Sequence, residues 1–96
     1  MKHWTVDIYL NEKTGVDEFD GGISVRTHAE ARLDTGAGDA LRAWGNARKH
    51  PSDRDVPQIG DELAAARALS DLAHRMLHAA AADIEAATGQ FASPRG

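Results

Sequence analysis

Cysteine is missing from the chain altogether, which excludes disulfide staples, thiolate zinc sites and a cysteine nucleophile and leaves stability to packing. Aromatic residues are scarce, with two Trp, two Phe and one Tyr to fill a core. No run approaches the ~20 consecutive apolar residues of a membrane span. The opening MKHWTVDIYL alternates polar and apolar residues where a signal peptide would have an apolar centre, so a cytoplasmic protein with no membrane partner is expected. Also missing are a nucleophile elbow, a phosphate-binding glycine loop and any cluster of metal-ligand residue types in one segment. A non-enzymatic protein is therefore expected, with no catalytic residue, metal, cofactor or small-molecule substrate. What is there, 96 residues at net charge −4 and 42% hydrophobic, describes one globular domain over 1–96. A domain of this size buries only ~60–65% of its unfolded surface, so oligomerisation is the expected supplement.

The long segment Asp55 to Gly89 is the one that sustains a helical apolar period. Ile59, Leu63, Ala66, Leu69, Ala73, Met76, Leu77, Ala80 and Ile84 recur at three- and four-residue steps and define the stripe expected to meet a sheet. Upstream, the pattern changes to period two. Trp4, Val6, Ile8 and Leu10 alternate with polar residues and predict a strand buried on one face. Glu12 to Gly22 reads as a solvated connection able to prolong the hairpin. Ile23, Val25, Thr27, Ala29, Ala31 and Leu33 predict the inward face of a second strand, and Leu41, Ala43, Gly45 and Ala47 that of a third. Asp34 to Asp39 is turn chemistry between them. His50 to Pro57 reads as a connection, Asp55 with Gln58 resembles a capping box, and Gly60 offers a later start with Asp61 and Glu62 at the positive dipole end. Gly89 reads as a left-handed stop, with a frayed tail from about residue 90. The expected fold is α+β: a three-stranded antiparallel sheet in chain order, covered by one long C-terminal helix, with Ala29 and Leu69 buried.

Two arrangements carry candidate chemistry. The outward face of the sheet would collect Arg26, His28, Arg32, Arg42 and Arg48 with Trp44, against Asp7 and Glu30. Such a face can track phosphates and stack a base. It can equally be a solvated face of cross-strand ion pairs, or, through Trp44 and Tyr9, part of a dimer contact. The second arrangement is Asp71, His74 and His78 on one side of the helix, a spacing able to hold a divalent metal from one face. A zinc-protease helix would add a glutamate between the histidines and a third ligand beyond them, and both are missing, so a solvated helix face is the reading preferred.

Lengths argue for a partner chain. A helix from Pro57 to Thr88 would run on the order of 45 Å, and a strand of eight residues roughly 27 Å, so about a third of the helix must overhang. The overhang contains Leu77, Ala80, Ala81 and Ile84; a homodimer partner would cover Leu77, Ala80 and Ile84. The alternative is a helix break between His78 and Ala82 that folds the last turns back.

Ala29-Glu30-Ala31-Arg32-Leu33, Ala47-Arg48 with Pro51 and Asp53, and above all VPQIGDELAAARALSDLAHRML (Val56 to Leu77) with DIEAATG (Asp83 to Gly89) carry a family likeness. From Trp4 to Gly89 the chain resembles the small actinobacterial family of unknown function with a double-stranded-RNA-binding-domain-like (dsRBD-like) fold. The resemblance implies three antiparallel strands and a long helix, pairing as a homodimer, and no established activity. It also implies a link to hypoxia and dormancy in some members, whose dimers are compared in shape with ribosome hibernation factors. True double-stranded-RNA-binding domains are basic at the start of their last helix, where this chain has Asp61 and Glu62. If RNA or the ribosome is contacted, the arginine face or the Arg48, Lys49 and Arg54 neighbourhood is the expected route; the alternative is a homodimeric protein-interaction module that touches no nucleic acid.

Overall fold

The period-two alternation marks out a sheet and the longer period a helix, and the backbone follows both. In the computed structural model, which describes residues 1–16, 21–49 and 57–89, β1 (Val6–Val16), β2 (Ile23–Leu33) and β3 (Leu41–Lys49) form an antiparallel sheet in the order β1-β2-β3. A single helix, α1 (Pro57–Thr88), lies on one of its faces. No helix among the described residues is long and apolar enough to cross a membrane. The segments proposed to hold Pro51, Asp53, Arg54, the cap at Asp55 and the frayed tail lie outside the described residues.

From Thr27 on, burial along β2 is as the alternation predicts. At its start it is not: Ile23, expected inward, is exposed, Val25 is only half-buried and Ser24, expected outward, is buried, because the helix begins to cover the strand only near Thr27, against Gly60. Thr27, Ala29, Ala31 and Leu33 are buried under α1, while Arg26 and His28 are exposed on the opposite face. Strand β1 pairs with β2 along its whole length, Val6 with Leu33 through Val16 with Ile23, so the Glu12 to Gly22 connection does prolong the hairpin. Between β2 and β3, Asp34 Oδ1 accepts from Gly36 N at 2.8 Å and Thr35 Oγ1 from Ala37 N at 3.3 Å, and Gly36 takes φ +80°. Helix α1 starts at Pro57, runs through Gly60 and shows no break between His78 and Ala82, so neither the later start nor the folded-back end occurs. Within the first turn Gln58 Nε2 donates to Glu62 Oε1 at 3.1 Å. At the far end Gly89, at φ +71°, donates its N–H to Glu85 O at 2.7 Å and closes the helix.

Two burial expectations are overturned. Leu69 is 41% exposed, and Ile59, Leu63 and Ile84 of the expected stripe are more exposed still. The row that meets the sheet is smaller: Gly60, Ala64, Ala68 and Leu72, each four residues from the last. Size decides this. The core consists of Ala29, Ala31, Ala43, Ala47, Ala64 and Ala68 with Leu33 and Leu72, and such short side chains bring the helix almost onto the sheet backbone. At the closest point Gly45 of β3 lies against Ala64 O and Ala68 N, and a Cβ there would overlap both as well as stand 2.8 Å from Arg67 C.

The second correction concerns β1, expected to be buried on one face and exposed along its whole length. Val6, Ile8 and Leu10 do lie on the helix side, paired with Leu33, Ala31 and Ala29. The helix, however, is drawn over β3 and β2 by the alanine surfaces and does not cover them. It is held there at the β3 edge, where Asp71 Oδ2 accepts from Trp44 N at 3.1 Å and Arg67 Nη1 donates to Asn46 O at 2.6 Å. These two side chains occupy backbone groups that an open edge would otherwise offer to another strand. Leu69 lies two residues from each, hence ~160° around the helix, on the flank toward β1. The overhang is also shorter than expected, because 11-residue strands reach ~37 Å against ~48 Å for α1.

Gly45→Ala should push α1 off the sheet and cost about 1–3 kcal/mol of unfolding free energy, as overpacking does. Gly15→Ala, whose added Cβ would meet only Ser24 Oγ at 3.9 Å, should leave stability nearly unchanged. Chemical denaturation of the two variants beside the parent checks this, and equal midpoints for all three would refute the close-approach account.

Candidate functional site: the open sheet face and the β3 edge

Because α1 covers one face, the outward residues of all three strands share the other, and the register sets them in rows. Lys13, Arg26 and Arg48 stand side by side, then Asn11, His28 and Asn46, then Tyr9, Glu30 and Trp44, then Asp7, Arg32 and Arg42. Five cations thus meet two carboxylates, in a chain whose net charge is −4. Lys13 and Arg26 stand directly across the β1–β2 ladder, where like charges repel, and the row they share with Arg48 suits an anionic surface laid over it.

The candidate residues divide among three environments. Arg32 is engaged within the protein: its Nη2 bonds Glu30 Oε2 at 3.1 Å and its guanidinium stands 5.4 Å from the Tyr9 ring centroid. Its Nε is buried and makes no hydrogen bond among the described residues. His28 Nδ1 pairs with Asn46 Oδ1 at 2.7 Å and ties β2 to β3 across this face. Arg26 and Arg48 sit in the cationic row. Arg42 and Trp44 belong to neither group, because they line a shallow groove at the β3 edge together with Ala40, Leu41, Arg75 and His78. The Arg75 guanidinium lies 5.2 Å from the Trp44 ring centroid, so one side of the indole expected to stack on a ligand is taken by the helix.

Lys13, Arg75 and His78 were not among the residues that sequence reasoning assigned to this surface. The alternation that placed Asp7, Tyr9 and Asn11 outward reaches Lys13 once the strand is carried past Leu10. The (i, i+4) spacing of Asp71 and Arg75 signals their ion pair, though not its contact with Trp44.

The metal arrangement does not assemble. His74 and His78 bond each other, Nε2 to Nε2 at 3.1 Å with rings edge-on, so one ring donates and the other accepts. Asp71 is committed elsewhere: its Oδ2 takes Trp44 N and, at 3.0 Å, Arg75 Nε. The Trp44 N–H first, and Arg75 after it, stabilise the carboxylate and hold Asp71 below the ordinary aspartate pKa. Among the described residues no group of three His, Cys, Asp or Glu is placed to hold a metal ion.

Comparison with known proteins agrees with this architecture. A family model described as Rv2632c-like matches residues 2–93. The chain is 48% identical over 90 residues to the uncharacterised protein Mb1767 of Mycobacterium bovis, covering 94% of this chain and 84% of that one. It is 54% identical over 65 residues to the uncharacterised protein Rv2632c of Mycobacterium tuberculosis, covering 68% and 69% of the two. The crystal structure of Rv2632c superposes with a TM-score of 0.70 at 43% identity, over 94% of both chains. These relatives are mycobacterial, which fits the actinobacterial resemblance, and are described only as uncharacterised. With the fold, the family model and the relatives in agreement, the chain belongs to the Rv2632c-like family.

Proposed function

We propose that this chain is a non-catalytic binding module that works as a homodimer, with a second copy covering the apolar surface between β1 and the outer flank of α1. One observation carries this reading: the apolar faces of both elements are bare. Val6 and Ile8 are 36% exposed, Leu10 47%, and on α1 Leu69, Leu63, Ile59 and Ile84 are each exposed by two fifths or more. Ala80 is exposed and Leu77 half-buried on the same helix. Large apolar side chains left in solvent in this number on a small chain mark an interaction site. A two-fold partner is the economical occupant, since the β1 face of one copy can receive the α1 flank of the other and the contact is then made twice. Each large side chain removed from water contributes roughly 1.5–3 kcal/mol, which a core built mostly of alanine needs. Light scattering at micromolar concentration should give twice the 10.3 kDa chain mass. Leu69→Asp and Ile84→Asp should each dissociate the pair and lower the melting temperature, by placing an uncompensated charge in a buried contact. A monomer mass for the parent protein would overturn the reading.

The Lys13, Arg26, Arg48 row favours a second reading, in which the dimer presents its open sheet faces to RNA, with the ribosome as the partner and stress or dormancy as the setting that the family resemblance implies. Asp61 and Glu62 near the start of α1 set this apart from the helix-first mode of double-stranded-RNA-binding domains. Co-sedimentation with ribosomes should be seen at low salt and weaken steeply as salt rises, because phosphate contacts release counterions. Arg26→Glu with Arg48→Glu should abolish it. Failure of the parent protein to sediment with ribosomes even at low salt would leave only the interaction module.

A further inference from the structure

We infer that the groove between the β3 edge and α1, lined by Arg42, Trp44, Arg75 and His78, binds a phosphate group, free or at the end of a small ester such as a nucleotide. Arg75 is the central donor, and the protein has already fixed it. Its Nε is spent on Asp71 Oδ2 at 3.0 Å and one face of its guanidinium lies 5.2 Å from the Trp44 ring centroid. Asp71 in turn is anchored on the β3 backbone through Trp44 N at 3.1 Å. A guanidinium held by its Nε and one face keeps Nη1 and Nη2 as a fork, the geometry that takes two oxygens of a phosphate at little entropic cost. Arg42 lines the same groove and supplies a second cation. Its cross-strand neighbour is another cation, Arg32, which already holds the nearby carboxylate of Glu30, so an incoming anion meets little competition at Arg42. His78 completes the lining, with its Nε2 engaged by His74. Two arginines thus line the groove, and the carboxylate bonded to Arg75, that of Asp71, is also engaged by Trp44 N, so the excess positive charge matches an oxyanion. Ala40, Leu41 and the Trp44 ring form the apolar part of the wall and give an organic group on the phosphate a surface to lie on.

The groove lies on the β3 flank of α1, across the helix from the bare surface assigned to a second copy, so dimerisation leaves it open and the two proposals fail separately. Titration of the full chain with inorganic phosphate and, in parallel, with adenosine monophosphate, followed by amide chemical shifts at constant ionic strength, tests the site. Saturable shifts are expected at Leu41, Arg42, Trp44 and His78. Tighter binding of the ester would identify an esterified phosphate as the ligand, and equal binding a free one. Arg42→Gln and Arg75→Gln should each weaken binding by ~10-fold or more, as loss of a charge-assisted hydrogen bond does. Arg75→Lys, which keeps the charge and loses the fork, should also weaken it, while Lys2→Gln should leave it unchanged. Circular dichroism confirms that each variant keeps its helix. Shifts that do not saturate, that chloride reproduces, or that persist unaltered in folded Arg42→Gln and Arg75→Gln would overturn the site.

Discussion

The structure depends on how closely α1 can approach the sheet. Gly45 has no side chain because Ala64 O and Ala68 N occupy the space where one would be, and alanines surround that point on both surfaces. Close approach removes little apolar area per residue, so the contact is tight in geometry and modest in energy. It also fixes the lateral position of the helix. Once α1 is seated over β3 and β2 it cannot lie over β1 as well, and the two flanks of the helix acquire different roles.

On the β3 flank, Arg67 and Asp71 bond backbone groups of the strand edge, and Asp71 positions Arg75 against Trp44. A device that closes an open edge therefore also holds a guanidinium in a groove. On the β1 flank the inner face of β1 and Leu69 of α1 are left in solvent, and Ile59 and Ile84 are exposed on the outer side of the helix. The elongated outline, 57 × 29 × 19 Å with a radius of gyration of 17.6 Å where a compact chain of this length would have ~12–13 Å, follows from laying a ~48 Å helix on a sheet it does not fully cover.

Much of this was legible in the sequence because period two leaves little freedom. A one-residue slip on β2 would exchange Ala29 and Ala31 for His28 and Glu30, so the register could be read directly. The turn at Asp34 to Asp39 and the stop at Gly89 were legible for local reasons, namely side-chain oxygens that bond nearby N–H groups and a glycine with positive φ. The helix face was not legible. Leucine and isoleucine dominate any hydrophobic period, so the stripe through Leu63, Leu69 and Ile84 looked like the sheet-facing one, whereas the face that packs was selected for smallness. The outward arginines were legible as a set, yet Lys13 and the division among them were not, because which arginine pairs with Glu30, which lines the groove and which joins the Lys13 row depends on how far β1 extends, on strand register and on α1.

The central claim is that close packing over β2 and β3 leaves a surface that a second copy covers. Isotope-filtered nuclear Overhauser measurements on a mixture of labelled and unlabelled chains test it most directly. Intermolecular contacts are predicted between the methyl groups of Val6, Ile8 and Leu10 in one copy and those of Leu69 and Ile84 in the other. A dimer whose intermolecular contacts fall instead on Arg26, Trp44 and the open sheet face, or a chain that shows none, would contradict it.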